Sequence, residues 1–170
     1  MSGTRPASSS GDIVKKILAA PLAALALTAC QKSPQEEPKM LDITGYNYTS
    51  RYIDRFSVNG QGGGNVLLSD DADGGGKTTC CIVWRPGTAL PVTMVVEWTY
   101  GYEKDFDTGQ LLQEAETHRA EVELTGPVSG HPTVFVVHFY PNNTVQLEVA
   151  EDYPRPRLKR SVLQQEGAKS

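Results

Sequence analysis

The sequence predicts a mainly β protein, a single antiparallel β-sandwich or open barrel that follows an N-terminal signal segment. Short segments in which apolar and polar residues alternate recur between positions 41 and 150, and such alternation is typical of strands with one buried face. Clusters of glycine, proline and asparagine separate these segments and mark turns. A stretch of this length suffices for one domain with one hydrophobic core.

Seven segments carry the strand pattern. They are Leu41–Tyr48, Tyr52–Val58, Thr79–Trp84, Val92–Tyr100, Ala120–Leu124, Thr133–Tyr140 and Val145–Val149. Thr133–Tyr140 is apolar on both faces except at His138, which predicts a central strand in which His138 is a structural residue. Asparagine accepts positive φ more readily than most residues, so Pro141-Asn142-Asn143 predicts a hairpin turn. Residues 110–119 fit either a short helix or an extension of the next strand.

The N-terminal segment has the composition of a secretory signal. Lys15-Lys16 precedes an apolar run that begins at Ile17 and ends in Leu27-Thr28-Ala29-Cys30, and this run is shorter than the about 20 residues of a membrane-spanning helix. A cysteine directly after Leu-Thr-Ala resembles the lipobox of bacterial lipoproteins. That resemblance implies that residues 1–29 are a lipoprotein signal peptide. It also implies that Cys30 carries an S-diacylglycerol and an N-acyl chain such as palmitate.

The regions around this signal complete the predicted organisation. Val14-Lys15-Lys16-Ile17 is similar to a common signal-peptide opening, which suggests that translation starts at position 14. Residues 30–40 are polar and contain proline, as expected of a flexible tether. Residues 41–150 form the β domain, and residues 151–170 are predicted to be a mobile polar tail. The resemblance to bacterial lipoproteins also implies a protein that faces the periplasm. In enteric-type lipoproteins an aspartate after the cysteine retains the protein at the inner membrane, so Gln31 implies the outer membrane.

The charge of the mature chain disfavours several functions. Removal of residues 1–29 leaves 13 basic and 19 acidic residues, a net charge of −6, which suits a basic protein partner and not a nucleic acid. Residues 74–78 resemble the end of a phosphate-binding loop, but Asp71 stands where that loop needs glycine, so no nucleotide is expected. The three histidines lack zinc-ligand spacing, and no Gly-x-Ser-x-Gly motif is present. We therefore predict no catalytic residue, metal or cofactor, and a protein that is not an enzyme.

Cys80 and Cys81 are adjacent within a predicted strand. Neighbouring side chains in a strand point to opposite faces, so a bridge between them requires a distorted backbone. We expect two buried structural thiols. A vicinal disulfide and a link to another chain are the alternatives for an oxidising compartment.

Three blocks of the sequence together resemble a family of small proteobacterial lipoproteins catalogued as a domain of unknown function. The first block comprises residues 43–48, 56–60 and 62–64; the second comprises residues 74–76, 80–81, 84–87 and 92–98; the third comprises residues 137–141. Some members of that family lie beside type VI secretion phospholipase effectors and are regarded as immunity proteins that block the lipase.

This resemblance implies a membrane-tethered periplasmic lipoprotein that binds and neutralises a lipase toxin. The alternative is a structural or accessory envelope lipoprotein with another partner and without enzymatic activity. Acidic loops are the candidate partner-binding residues because they could steer association with a basic surface. They are Asp70, Asp71, Asp73, Glu103, Asp105 and Asp107.

Overall fold

The computed structural model describes residues 36–159, and these form a sandwich of two four-stranded sheets with a small two-stranded sheet beside it. The mainly β, sandwich-like fold predicted from the sequence is confirmed. The strands are β1 (Lys39–Asn47), β2 (Ile53–Val58), β3 (Gln61–Val66), β4 (Thr79–Trp84), β5 (Val92–Tyr100), β6 (Glu103–Lys104), β7 (Leu111–Gln113), β8 (Glu116–Leu124), β9 (Val134–Tyr140) and β10 (Thr144–Ala150).

Sheet A has the order β10-β9-β1-β4, and sheet B has the order β3-β2-β5-β8. Neighbouring strands are antiparallel except β1 and β9, which run parallel with Asp42 opposite Val134. The predicted antiparallel sandwich therefore contains one parallel pair of strands. A parallel pair needs a long crossover, and all of sheet B lies between β1 and β9 in the sequence.

Strand β9 is central in sheet A, as predicted, and both of its faces are buried. Phe135, Val137 and Phe139 point into the core between the sheets. The Phe139 ring lies 5.8 Å from that of Trp98 on β5, and this contact joins sheet A to sheet B. The alternate side chains, including His138, lie on the outer face of sheet A.

The conformational preferences of asparagine and glycine explain one correct and one missed prediction of local structure. The predicted hairpin between β9 and β10 is confirmed, with φ values of 61° at Asn142 and 60° at Asn143. Residues 110–119 continue into strands β7 and β8 and form no helix. Strand β3 is not among the seven predicted strand segments because it is rich in glycine, which is depleted in strands. Glycine is needed there because the Phe56 ring occupies the space of a side chain at Gly63.

The segment after β10 also differs from the expected mobile tail. Residues 153–158 lie along the outer face of sheet A, where Leu158 packs against buried side chains and the Tyr153 hydroxyl donates to Asp42 at 3.2 Å. We call residues 152–159 the C-terminal strap. Within residues 36–159 no helix combines the length and apolar character needed to cross a membrane. Cys30, the signal peptide and residues 160–170 lie outside the described part of the chain.

Candidate binding surface

The connection between β1 and β2 is organised by the buried side chain of Asn47. Its Oδ1 atom accepts hydrogen bonds from the amide and hydroxyl of Thr49 at 3.0 and 2.7 Å. Its Nδ2 atom donates to the carbonyl groups of Arg51 and Val66 at 2.8 and 3.3 Å. Every polar group of this amide therefore has a partner, which fixes the path of residues 47–51.

Arg51 connects residues 47–51 to the two-stranded sheet of β6 and β7. Its Nη2 atom donates to the carbonyl oxygens of Gly101 and Glu114, at 2.9 and 2.7 Å. Its Nη1 atom lies 3.1 Å from a carboxylate oxygen of Glu116, and the guanidinium lies over the Tyr100 ring at 5.0 Å. Gly101 precedes β6 and Glu114 follows β7, so one arginine holds both ends of residues 102–114, which we call the β6–β7 hairpin.

The tip of the β6–β7 hairpin is a turn built by Asp105. One carboxylate oxygen of Asp105 accepts hydrogen bonds from the backbone amide and hydroxyl of Thr108, both at 2.7 Å, and from the amide of Asp107 at 3.1 Å. These bonds hold the pKa of Asp105 below its usual value. Gly109 follows with a φ of 69° and donates its amide to the Asp105 carbonyl. Asp105 therefore serves mainly to stabilise the turn, and one of its carboxylate oxygens is occupied by hydrogen bonds within the loop.

The second acidic segment, residues 69–76, attaches to the same corner. The Ser69 amide donates to the Asn47 carbonyl at 2.8 Å, and the Asn47 amide donates to the Gly74 carbonyl at 3.0 Å. Within the segment, Asp70 accepts the amides of Ala72 and Asp73, each at 2.7 Å. These backbone hydrogen bonds lower the pKa of Asp70, so it is ionised at neutral pH.

The structure therefore connects both predicted acidic segments to one corner at residues 47–51. It also divides the six candidates by role. Asp70, Asp73 and Asp105 accept amide hydrogen bonds within their own loops. Glu103 and Asp107 are exposed, and their carboxylates take no part in these turns. Asp71 is exposed as well.

The same hairpin carries exposed apolar side chains that the sequence reading did not single out. Phe106, at the tip, is fully exposed with a relative accessibility of 101%. Tyr102, Leu111 and Leu112 are 55%, 45% and 60% exposed. The signal available in the sequence was an aromatic residue flanked by two carboxylates, Asp105-Phe106-Asp107, between two segments of weak strand pattern.

On the outer face of sheet A, a closed hydrogen-bond network surrounds His138. The Nε2 atom of His138 faces the Glu148 carboxylate at 3.0 Å, and its Nδ1 atom lies 3.1 Å from the Tyr48 hydroxyl. A carboxylate only accepts, so Nε2 donates and Nδ1 accepts from Tyr48. The Arg157 amide donates to the Tyr48 oxygen at 2.8 Å, and the Arg157 guanidinium donates to Glu148 at 2.6 Å.

This network keeps His138 and Tyr48 neutral and does not activate them. Burial, assisted by the nearby Arg157 charge, lowers the pKa of His138 to about 4. Burial raises the pKa of Tyr48 to about 12, which is the opposite of what makes a tyrosine nucleophilic. The Tyr48–His138–Glu148 series is therefore suited to fastening the C-terminal strap.

Cys80 and Cys81 form a vicinal disulfide in the structure. Neither is fully buried, since Cys80 is exposed and Cys81 half-buried on the edge strand β4. The expectation of two buried thiols is wrong, since the structure has the alternative of a vicinal disulfide. The two residues are not fully buried because an edge strand is covered less than a central one. Within residues 36–159, Asp42, Cys80 and Cys81 form one group whose ligand atoms lie within 4.8 Å of one another. Sulfurs joined to each other cannot supply the thiolates that a metal needs.

Comparison with known proteins places the chain in a family. Neither the curated proteins nor the solved structures provided a match. The family model described as "Protein of unknown function (DUF3304)" matches residues 46–147, which include the Asn47 corner, the β6–β7 hairpin and β9. Because this match covers more than half of its 170 residues, the chain belongs to the DUF3304 family of proteins of unknown function.

Proposed function

We propose that this chain is a membrane-tethered periplasmic lipoprotein that binds and neutralises a type VI secretion lipase effector. The observation that supports a protein-binding role is the Asn47–Arg51 corner. One acidic segment is attached to it by backbone hydrogen bonds of Asn47, and the other by the Arg51 guanidinium. Such a surface attracts a basic partner and accelerates its association. The lipobox-like sequence at Cys30 and the sequence resemblance described above support the location and the class of partner.

The mechanism in this proposal is steric. Segments held by hydrogen bonds at one end of a rigid sandwich lose little freedom on binding, which favours affinity. A standard protein interface buries about 800 Å² on each partner, an area that a domain of this size can supply. The partner's lipase would then be blocked by occlusion of its entrance, with no chemical step on this chain.

Co-expression provides the test. The lipase encoded next to this gene is directed to the periplasm of a bacterial host, with and without the full-length chain. We expect survival and a complex on size-exclusion chromatography only when both proteins are present. A neighbouring gene that encodes no lipase, or equal killing without a complex, would reject the proposal and favour an accessory envelope role.

Charge variants refine the same experiment. Glu103→Gln with Asp107→Asn removes exposed carboxylates without disturbing the Asp105 turn, and we expect slower association with weaker dependence on salt. Glu36→Gln with Glu37→Gln is the matched control, because these exposed residues lie before β1. Equal association rates for the two double variants would exclude steering by the hairpin.

A further inference from the structure

The β6–β7 hairpin combines exposed apolar side chains with a net negative charge. It exposes four large apolar side chains, Tyr102, Phe106, Leu111 and Leu112, within 11 residues. Residues 102–114 also contain four carboxylates against one lysine, a net charge of −3. Concentrated exposed apolar surface rimmed by polar groups indicates an interaction site.

The hairpin is also held in a fixed conformation before any partner binds. Arg51 holds its two ends through the carbonyl groups of Gly101 and Glu114. Asp105 holds its tip through three hydrogen bonds, and the Asp105 amide donates to the Gln110 carbonyl at 2.8 Å. Phe106 is therefore presented at the end of an ordered projection. An aromatic side chain on such a projection loses little conformational entropy on burial.

We infer that the β6–β7 hairpin inserts Phe106 into an apolar cleft of a protein partner whose rim is basic. This inference rests on the proposed function, which identifies the cleft as the acyl-chain entrance of the lipase. That entrance must be apolar because it admits acyl chains, and a phenyl ring fits the same chemistry. Because the hairpin has a net charge of −3, it attracts a cleft with a basic rim and is repelled by an anionic lipid surface.

The test compares the full-length chain, Phe106→Ala, Phe106→Leu and the control Met40→Ala by binding kinetics with the lipase. Met40 is also an exposed large apolar residue, 62% accessible, but it lies on β1 away from the hairpin in sequence. We expect Phe106→Ala to weaken binding by roughly 30-fold or more, mainly through faster dissociation. Phe106→Leu should retain most of the affinity, and Met40→Ala should bind like the parent chain. Because Phe106 contacts solvent, circular dichroism should show an unchanged fold.

The outcomes separate this inference from the proposed function. If the parent chain neither binds nor inhibits the lipase, both are rejected. If the parent chain inhibits and Phe106→Ala inhibits equally, the proposed function stands and the insertion is overturned. Binding to phosphatidylcholine vesicles or self-association that depends on Phe106, with unchanged lipase affinity, would also overturn it.

Discussion

The Nε2 atom of His138 lies 3.0 Å from the Oε2 atom of Glu148, beneath the C-terminal strap. Glu148 also accepts a hydrogen bond from the Arg157 guanidinium. The Arg157 amide donates to the Tyr48 hydroxyl oxygen, and that hydroxyl donates to the Nδ1 atom of His138. Arg157 of the strap therefore contacts the Glu148 carboxylate directly and reaches the opposite side of the His138 ring through the Tyr48 hydroxyl. This arrangement links the packing of the strap to the protonation state of His138.

The first prediction concerns acid stability. Burial lowers the pKa of His138 from 6.5 to about 4, so the unfolded chain takes up a proton at pH values where the folded chain does not. Stability that is fully present above pH 6.5 is therefore lost as the pH falls toward 4. Urea unfolding at pH 7.5 and pH 5 measures this loss. We expect a smaller loss for His138→Gln, and the same loss in both proteins would contradict the assignment to His138.

The second prediction concerns the strap. Arg157→Ala removes the hydrogen bonds of the guanidinium to Glu148 and Gln146. We expect a decrease of about 1–3 kcal/mol in the free energy of unfolding, because the partly buried Glu148 carboxylate loses its charged partner and, within residues 36–159, keeps only the hydrogen bond from His138. Amide hydrogen exchange of residues 152–159 should accelerate. Arg155→Ala, an exposed neighbour, is the control, and equal exchange in both variants would show that Arg157 does not fasten the strap.

The third prediction concerns the base of the hairpin. Arg51→Lys keeps the charge but loses the planar fork that reaches Gly101, Glu114 and Glu116. We expect faster amide exchange across residues 102–114 and a loss of stability of about 1–2 kcal/mol. Arg55→Lys on β2 serves as control because its side chain is 72% exposed. Unchanged exchange in Arg51→Lys would mean that the hairpin is ordered without this contact.

The fourth prediction concerns the anchor, which follows from the sequence alone. Cys30→Ser should abolish incorporation of labelled palmitate and leave an unprocessed precursor, since lipid attachment requires the thiol. Cys80→Ser should incorporate label like the parent chain. Labelled Cys30→Ser protein would place the lipid at another residue, and an unlabelled parent chain would reject the lipoprotein interpretation.

The sequence predicted the fold class because several strands alternate apolar and polar residues, as at Ala120–Leu124, and because Asn142 and Asn143 mark the last hairpin. It did not predict β3, because this strand is rich in glycine and Gly63 leaves space for the Phe56 ring, a contact that only the folded chain makes. The packing of the C-terminal strap on sheet A was not predicted, for a similar reason. The Arg157 guanidinium binds Glu148 on β10, and its amide binds the hydroxyl of Tyr48, which directly follows β1 and is far away along the chain. Local composition showed only polar residues and prolines.

The candidate surface was predicted in part. The acidic residues were identified from charge, but charge cannot distinguish Asp105, which builds a turn, from Asp107, which does not. Arg51 and Asn47 were not identified, since their roles depend on carbonyl groups that only the folded chain brings near. Phe106 was overlooked because an isolated aromatic residue in a sequence usually becomes part of a core.

The parallel pairing of β1 with β9 has a consequence for how the domain reaches its native state. The strand at the start of the domain obtains its central neighbour only when residues near the end of the domain are available, as the pairing of Asn47 with Phe139 requires. Contacts of such long sequence separation slow folding. Until β9 is available, one edge of β1 has unpaired backbone groups that can bond to other chains. A chain truncated before β9 would keep the residues of sheet B and lose the middle of sheet A, so we expect it to aggregate.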